Sequence, residues 1–351
     1  RSVTGVQTCA LPICCGIRQV APALAASGVD AFAVGSLEDA LEIRKAAATA
    51  EILLYPNCLP DAAPTVESER LSVTLSSIDE AVAWNAAATG TINAFIKIDV
   101  GALRAGVLPR EAAALGDALR SLRRLRIAGA YAHMHLPDPS RMQPYGEWQF
   151  GKFKQAVAAL RAHGVEIALQ MVSGTAAVLA FPHMDLDAVD PGRALFGLGF
   201  AGLKRDLALR PALAGWRTRL LLAKDVHDAD VAGFAPPFAL RPGQRIGVIP
   251  VGWGDGLPRR LPESAVALVH GRRVRLLAPS HFEHVRVDLT DVPHARYGDE
   301  VMLLGAQDDE RIELQELSAW MGRDPLHLLG AMPRHLARAE QRRSAHGSAS
   351  Q

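Results

Sequence analysis

The sequence lacks the features that would place it on nucleic acid or in a membrane. Its 351 residues include 38 basic and 37 acidic side chains, which leave a formal net charge of +1 at pH 7. A partner carrying phosphate groups would select a basic excess on some face, so nucleic acid and membrane surfaces are disfavoured as partners. No apolar run approaches the roughly 18 residues of a membrane helix, and no signal-peptide pattern opens the chain.

Cysteine is also scarce. The four cysteines are Cys9, Cys14, Cys15 and Cys58, and none stands at zinc-ligand spacing from a histidine. We therefore predict a reduced, cytoplasmic protein without a bound metal. A secreted enzyme with disulfides is the alternative.

The two ends of the chain differ from the rest. Residues 1–15 begin with Arg rather than Met and follow neither a helical nor a strand period. They resemble spurious translated sequence joined to a gene fragment, so we treat them as a doubtful N-terminal segment. Residues 340–351 are polar and are predicted to be a disordered tail.

Residues 16–210 alternate short apolar runs with longer amphipathic stretches, which predicts an α/β domain with a parallel sheet. About seven strand–helix units, with one missing at the front, favour a closed (β/α)8 TIM-type barrel. An open doubly wound sheet is the alternative. The predicted strands are residues 31–35, 52–55, 71–75, 94–100, 127–133, 168–173 and 187–189.

In residues 211–339 helical periods give way to short β-like runs separated by Gly-Pro turns. This pattern predicts a C-terminal all-β domain that ends with a short helix near residues 314–320. The predicted strands are residues 219–224, 245–250, 265–269, 274–277, 285–289 and 301–304.

The first chemically distinctive segment is Lys97-Ile-Asp99-Val-Gly101-Ala-Leu-Arg104-Ala-Gly106. Lys97 and Asp99 share one face of a strand, near the end at which barrels place catalytic groups. The loop between the glycines would bring Arg104 over the barrel mouth. A structural Lys97–Asp99 pair is the alternative.

His133 and His135 also share a strand face, so a metal pair is conceivable, but no third ligand has suitable spacing. A histidine that lines a cofactor is the preferred interpretation. His281, Glu283 and His284 form a second, weaker metal candidate, because strand alternation turns His284 away from the other two.

Two small-residue turns follow late strands of the predicted barrel. Ser173-Gly174-Thr175 and Pro191-Gly192-Arg193 could hold a phosphate through main-chain N–H groups, although Ser and Thr are also ordinary helix caps. In the β-domain, Gly252, Gly254 and Gly256 surround Trp253, which indicates close approach of the backbone to another group. A plain β-turn is the alternative there.

In order along the chain, these segments resemble the alanine racemase family of pyridoxal-phosphate enzymes. The likeness runs from Gly16 to about Arg338. Its most specific parts are DAFAVGSLEDALEIRKA (30–46), FIKIDVGALRAG (95–106), PVGWGDGLPRR (250–260) and the long match over residues 271–305. The resemblance implies a fold-type III barrel, pyridoxal 5′-phosphate as cofactor, a small amino acid as substrate and a homodimer.

The resemblance also implies roles for residues that match the family. Lys97, often carbamylated in the family, would orient Arg104, and His133 would lie beside the pyridine ring. Arg104 would hold the substrate carboxylate or the cofactor's phenolic oxygen. The cofactor-binding positions carried over are Ser173, Gly174, Thr175, Asp190, Gly192, Arg193 and Trp253.

Several matched positions depart from the family pattern. Gly16 matches the last glycine of the Schiff-base motif K-A-[DN]-A-Y-G-x-G, and counting back seven places puts Cys9 in the lysine slot. No lysine precedes Lys45. The second-base tyrosine is matched by Phe234, which has no exchangeable proton, and the tyrosine that contacts phosphate is matched by Trp253.

The arginine that faces the pyridine nitrogen in the family is matched by Asp190. A carboxylate there would favour the protonated ring and make it a stronger electron sink. The resemblance thus predicts a racemase acting through a Cα carbanion. The alternatives are a decarboxylase or lyase of the same fold and a non-catalytic protein that binds the cofactor or a metabolite.

Overall fold

The computed structural model describes residues 6–10, 17–29, 31–138, 140–200, 203, 205, 207–231, 240–332 and 336, the first five of them as backbone only. The chain divides into two compact units between Arg210 and Pro211. No helix within these described ranges is long and apolar enough to cross a membrane.

The first unit is built from alternating strands and helices. Its strands are β1 (Val6–Ala10), β2 (Ala31–Val34), β3 (Glu51–Leu54), β4 (Ser72–Leu75), β5 (Ile92–Lys97), β6 (Leu125–Tyr131), β7 (Leu169–Gly174) and β8 (Ala188–Asp190). Its helices are α1 (Ile17–Ala26), α2 (Leu37–Ala46), α3 (Ala63–Ser68), α4 (Ile78–Ala87), α5 (Ala112–Leu119), α6 (Gln143–Ala162), α7 (Thr175–Ala180) and α8 (Gly192–Leu195). Short 3-10 turns occupy Pro60–Ala62, Pro109–Glu111 and Pro182–Met184.

All eight strands pair in parallel and in chain order, and β1 closes the sheet against β8. The predicted barrel is therefore confirmed, and the open sheet is excluded. We predicted no strand before Ala31, and this was wrong, because β1 pairs with β2 through Cys9 and Phe32. A barrel strand is stabilised by pairing with the strands on both sides of it. The five residues of β1 do not alternate between apolar and polar, so they give no local signal of a strand.

Side chains fill the barrel interior. The buried cluster consists of Ala33, Leu53, Tyr131, Met171 and Ala188, with Tyr55, Phe95 and Leu169 packed against it. Strands covered on both faces read as continuous apolar runs, and all four residues of β2 are buried. The barrel is thus a packed core whose chemistry must lie at its mouth.

Local sequence signals fix the outer helices. The Ser36 hydroxyl accepts a hydrogen bond from the Asp39 main-chain N–H at 3.2 Å, which caps the start of α2. Acidic residues occupy the first turn of α2 and basic residues its last turn, as the helix dipole favours. A cap of this kind contributes about 1 kcal/mol to stability.

The second unit is an antiparallel sheet with helices. Its strands are β9 (Trp216–Arg219), β10 (Leu222–Asp225), β11 (Arg245–Ile249), β12 (Val266–Val269), β13 (Arg272–Leu277), β14 (Val285–Asp288), β15 (Glu300–Gln307) and β16 (Glu310–Ile312). The helices are α9 (Asp228–Val231), α10 (Leu314–Met321) and α11 (Pro325–Ala331), and a 3-10 turn covers Trp253–Asp255. The strand order is β10-β11-β14-β13-β12-β15-β16, with β9 also paired to β15.

One predicted strand of this unit was wrong. Residues 219–224 form parts of two strands, because the chain changes pairing partner between Leu220 and Leu221. The Leu220 N–H donates to the Asp299 carbonyl, whereas the Leu221 N–H donates to the Val248 carbonyl, both at 2.8 Å. An uninterrupted apolar run does not reveal such a corner, since both halves are locally extended.

Candidate functional site

Three polar side chains meet at the mouth of the barrel, where β3, β6 and β8 end. The Tyr55 hydroxyl donates a hydrogen bond to Asp190 Oδ2, and His133 Nε2 lies 3.4 Å from the same oxygen. Asp190 is buried, while His133 is about 30% exposed. A buried carboxylate needs such donors, since an ion without partners is costly to desolvate.

Aromatic rings surround this carboxylate. The rings of Tyr55 and Tyr131 lie edge-on to His133, with centroids 5.1 and 5.6 Å away, and so fix its imidazole. Burial, with a smaller effect of the Asp190 charge, raises the pKa of Tyr131 above its usual range. Tyr131 is therefore a neutral wall of the site.

The Tyr131 hydroxyl is anchored below the mouth by Thr74. Their oxygens are 2.9 Å apart, and the Thr74 hydroxyl donates its single proton to the Leu54 carbonyl at 2.7 Å. Tyr131 must then be the donor to Thr74. This chain of hydrogen bonds ties β6 to β3 and β4.

Lys97 ends β5 and lines a small cavity together with Asp99, Arg104 and His133. Its ammonium lies 5.8 Å from the centroid of the Tyr131 ring. Burial, followed by the positive charge of Arg104, lowers the pKa of Lys97, and Asp99 opposes this shift. Within the described part of the chain no ion pair joins Lys97 to Asp99, so the structural pair considered above does not form.

Asp99 instead organises the loop that carries Arg104. Its carboxylate accepts the main-chain N–H groups of Gly101, Leu103 and Arg104 at 2.8, 3.2 and 2.6 Å. The loop then returns to the strand through Gly106, which has φ of 142° and lies against the Asp99 backbone. Arg104 is left exposed at the cavity rim.

The two small-residue turns are joined by one hydrogen bond. The main-chain N–H of Ala194 donates to the Thr175 hydroxyl at 3.1 Å, which links the start of α7 to α8. The Ser173 hydroxyl is buried and donates to the Met184 carbonyl at 3.0 Å. Ser173 therefore uses its side chain to hold the turn.

Gly174, Gly192 and Arg193 lie on these same turns and are partly exposed. The Arg193 guanidinium lies 5.3 Å from the centroid of the Phe200 ring. The structure thus brings four predicted positions, Thr175 and these three, to adjoining turns that follow β7 and β8.

Trp253 lies in the second unit, where 47% of its surface is exposed, and its ring packs edge-on against Phe282 at 4.5 Å. The glycines beside it serve a close approach rather than a plain turn. A Cβ on Gly252 would lie 2.3 Å from the carbonyl oxygens of His281 and Phe282. The predicted contact of Trp253 with the cofactor stays a prediction.

Phe234 lies outside the described residues. Cys9 is described only through its backbone in β1.

The two histidines of the first metal candidate, His133 and His135, have different partners. His135 binds Gln149 through its main chain, with its N–H donating to the amide oxygen at 2.8 Å. Among the described residues no group of three His, Cys, Asp or Glu side chains could hold a metal ion.

The sequence analysis missed Tyr55, Tyr131 and Thr74. Tyr55 directly follows an apolar strand, so its position at a strand end was the signal that could have identified it. Tyr131 and Thr74 gave no signal, because a tyrosine or threonine within a strand is ordinary.

Both units match known family models. Residues 10–199 match "Alanine racemase, N-terminal domain" and residues 213–339 match "Alanine racemase, C-terminal domain". The alanine racemase of Halothermothrix orenii is 30% identical over 313 residues, covering 86% of this chain and 80% of the relative. That of Acidithiobacillus ferrooxidans is 32% identical over 311 residues, covering 88% and 83%.

Solved structures agree in fold. The biosynthetic alanine racemase of Pseudomonas aeruginosa gives a TM-score of 0.79 at 27% identity, covering 97% of this chain and 94% of that one. The Bacillus anthracis alanine racemase with bound L-Ala-P gives 0.85 at 23% identity, covering 94% and 87%.

Proposed function

We propose, because this chain belongs to the alanine racemase family, that it is a pyridoxal-phosphate-dependent racemase of a small amino acid. The reaction would remove and return the Cα hydrogen of the amino acid. Alanine is the first substrate to test, since the relatives above are named for it.

The observation that carries this proposal is the buried Asp190 carboxylate at the barrel mouth. Its oxygen is held by the Tyr55 hydroxyl and lies 3.4 Å from His133 Nε2. An acid fixed in this way suits a cationic ring nitrogen, and the imidazole beside it suits a ring face. The linked turns at Thr175 and Gly192 offer main-chain N–H groups for a phosphate. These residues fit the cofactor.

When bound, pyridoxal phosphate would supply an electron sink for the charge left at Cα. Asp190 would accept a hydrogen bond from the protonated ring nitrogen, and His133 would border the ring. Arg104, on the loop folded around Asp99, would bind the substrate carboxylate. Thr175, Gly192 and Arg193 would hold the phosphate, and Tyr131 would keep water from the ring side of the cavity.

Racemisation requires proton exchange on both faces of the substrate. In this chain the family's two base positions correspond to Cys9 and Phe234, and phenylalanine cannot move a proton. The second candidate function is therefore decarboxylation or carbon–carbon cleavage, which Asp190 favours because a carboxylate strengthens the electron sink. The third is cofactor or metabolite binding without catalysis.

A hydrogen-exchange assay separates the three functions. We would incubate the full chain with pyridoxal phosphate and L-alanine in D₂O, then measure deuterium at Cα and resolve the enantiomers chromatographically. Racemase function predicts deuterated D-alanine. Deuterated L-alanine alone would limit the chain to one-sided proton exchange and contradict racemisation. Ethylamine and carbon dioxide would establish decarboxylation.

The binding function has its own readout. Absence of any exchange, combined with binding of 4-deoxypyridoxine 5′-phosphate measured by calorimetry, would favour a non-catalytic protein. The matched variant is Asp190→Asn, which keeps the shape of the side chain but removes its charge. We expect it to lower exchange by about ten- to a hundredfold, as for a lost hydrogen bond to a charged group. The cytoplasmic location stays a prediction.

A further inference from the structure

We propose that Trp148 is a positioning residue of this site, whose ring holds the loop that presents Arg104 to the carboxylate of the substrate. This inference rests on the proposed function, which assigns the substrate carboxylate to Arg104. It adds to the site a residue of α6 that acts through the loop rather than on the substrate itself.

The first observation is the contact between Trp148 and Gly101, in the loop that follows β5. A Cβ on Gly101 would lie 2.5 Å from Trp148 Cζ3 and 2.7 Å from Cη2, so the far edge of the indole lies directly on the main chain. A residue with a side chain would not allow this approach. Ala102 and Arg104, which follow, line the cavity together with His133. The ring therefore contacts the loop beside its cavity-lining residues.

Neighbouring residues of α6 fix the orientation of the Trp148 ring. Tyr145 and Lys152 lie three residues before and four residues after it, which places all three on one face of the helix. The Tyr145 ring is stacked on the indole, with centroids 5.5 Å apart and an angle of 16° between the planes. The Lys152 ammonium lies 5.3 Å from the indole centroid. The indole is thus held from both directions along the helix, although it is half exposed.

The start of α6 is itself attached to the chain that leaves β6. Gln149 is fully buried, and its amide oxygen accepts the main-chain N–H of His135 at 2.8 Å. Its amide nitrogen donates to the carbonyls of His135 and Tyr145 at 3.3 and 3.4 Å. Phe153, one turn later, is also fully buried. Trp148 therefore projects from a segment that is anchored to the barrel.

The loop needs such a support. Leu103 has φ of 51°, a left-handed conformation that is unfavourable for leucine, and its side chain is 79% exposed. Burial of that side chain does not offset the strain. The Asp99 carboxylate holds the main-chain N–H groups of Leu103 and Arg104, and the Trp148 ring supplies a packing contact at Gly101. Arg104 is exposed, so the conformation of the loop decides where its guanidinium lies.

The first test measures how strongly the full chain prefers a ligand with a carboxylate. The two probes are N-(5′-phosphopyridoxyl)-L-alanine and N-(5′-phosphopyridoxyl)ethylamine, which differ only by the carboxylate and contain no aldehyde. Calorimetry gives the ratio of their dissociation constants. We expect Trp148→Ala to reduce this preference about three- to tenfold, because a mobile arginine must be ordered when the carboxylate binds.

Two further variants distinguish positioning from a general effect on the helix. Trp148→Tyr keeps a planar ring of comparable reach and should restore most of the preference. Gln155→Ala replaces an exposed residue of the same helix and should leave the preference as it is in the parent chain. An equal loss in Trp148→Tyr and Trp148→Ala, or a loss in Gln155→Ala, would contradict the role of the ring.

Amide hydrogen exchange gives a readout that needs no ligand. In Trp148→Ala we expect exchange at Leu103 and Arg104 to become about three- to tenfold faster, while the amides of β4 exchange as in the parent chain. Unchanged exchange in β4 also establishes that the variant folds. Unchanged exchange at Leu103 and Arg104 would show that the ring does not hold the loop, and the inference would be lost.

Gly101→Ala tests the contact itself. The added methyl group would meet the Trp148 ring, so this substitution should lower the urea midpoint more in the parent chain than in Trp148→Ala chains. The strain from the Gly101 φ of 128° is common to both backgrounds and cancels in the comparison. Equal shifts of the midpoint would refute the contact on which the inference depends.

The two probes also separate failure of this inference from failure of the proposed function. If both probes bind but Trp148→Ala keeps the full carboxylate preference, the positioning role is disproved while the cofactor site stands. If both bind equally well to the parent chain, Arg104 does not bind the carboxylate, and the inference is disproved in the same way. If neither probe binds, the proposed function and this inference are both disproved.

Discussion

At the scale of single residues, the mouth of the barrel is defined by how one carboxylate is satisfied. Asp190 lies in a buried position with a phenolic donor and an imidazole beside it. The Tyr55 hydroxyl donates to the Asp190 carboxylate, whereas the Tyr131 hydroxyl donates to the neutral hydroxyl of Thr74. Hydrogen bonds to charged groups contribute more to stability, so the two tyrosines should differ.

We expect Tyr55→Phe to lower the free energy of unfolding by about 1.5–3 kcal/mol and Tyr131→Phe by about 0.5–1.5 kcal/mol. Each variant removes one hydroxyl and keeps the ring. After Tyr131→Phe, the Thr74 hydroxyl still donates to the Leu54 carbonyl. Urea denaturation followed by circular dichroism measures both values. An equal or larger loss of unfolding free energy for Tyr131→Phe would contradict the stronger hydrogen bond that we assign to Tyr55 and the Asp190 carboxylate.

At the scale of elements, the sequence predicted strands and helices wherever a local period or cap was present. The helix predicted near residues 314–320 forms as α10, and the strand predicted at residues 52–55 forms as β3, shifted by one residue. The corner at Leu220 and the strand β1 were missed, since each depends on the strands beside it. Local chemistry therefore fixes element type, and pairing fixes element ends.

The loop after β5 is an element whose shape depends on one glycine. Gly106 has φ of 142°, and a Cβ there would lie 2.7 Å from the Asp99 main-chain nitrogen. We expect Gly106→Ala to lower the free energy of unfolding by roughly 2–5 kcal/mol through backbone strain and overpacking. It should also increase amide hydrogen exchange at Leu103 and Arg104, which the Asp99 carboxylate holds.

Gly151 is the matched control, because it lies within α6 and a Cβ there would meet nothing within 4 Å. Gly151→Ala should raise stability by about 0.5–1 kcal/mol through helix propensity. If both substitutions had the same effect on hydrogen exchange in the loop, the tight return at Gly106 would not be what holds Arg104.

At the scale of the whole molecule, two units of different architecture follow one another along the chain. The first is a closed parallel barrel and the second an antiparallel sheet. The family resemblance implies a homodimer in which each site is completed by the partner's β-domain. This expectation stays a prediction for the present chain.

We expect light scattering coupled to size-exclusion chromatography to give twice the chain mass of 37.5 kDa at micromolar concentration. A single-chain mass that does not change with concentration or with added pyridoxal phosphate would contradict the dimer. The Asp190→Asn chain provides the control, because that substitution lies at the barrel mouth and should leave the measured mass unchanged.

The sequence by itself determined the fold class and the division into two units, because apolar periods, turn residues and ordered motifs are local properties. It identified Lys97, Arg104, His133 and Asp190 but not how they would interact. Only the tertiary structure decided that Tyr55 holds Asp190, that Asp99 serves the loop, and that Lys97 has no acidic partner among the described residues. These contacts join strands far apart in the chain, and closure of the barrel brings them together.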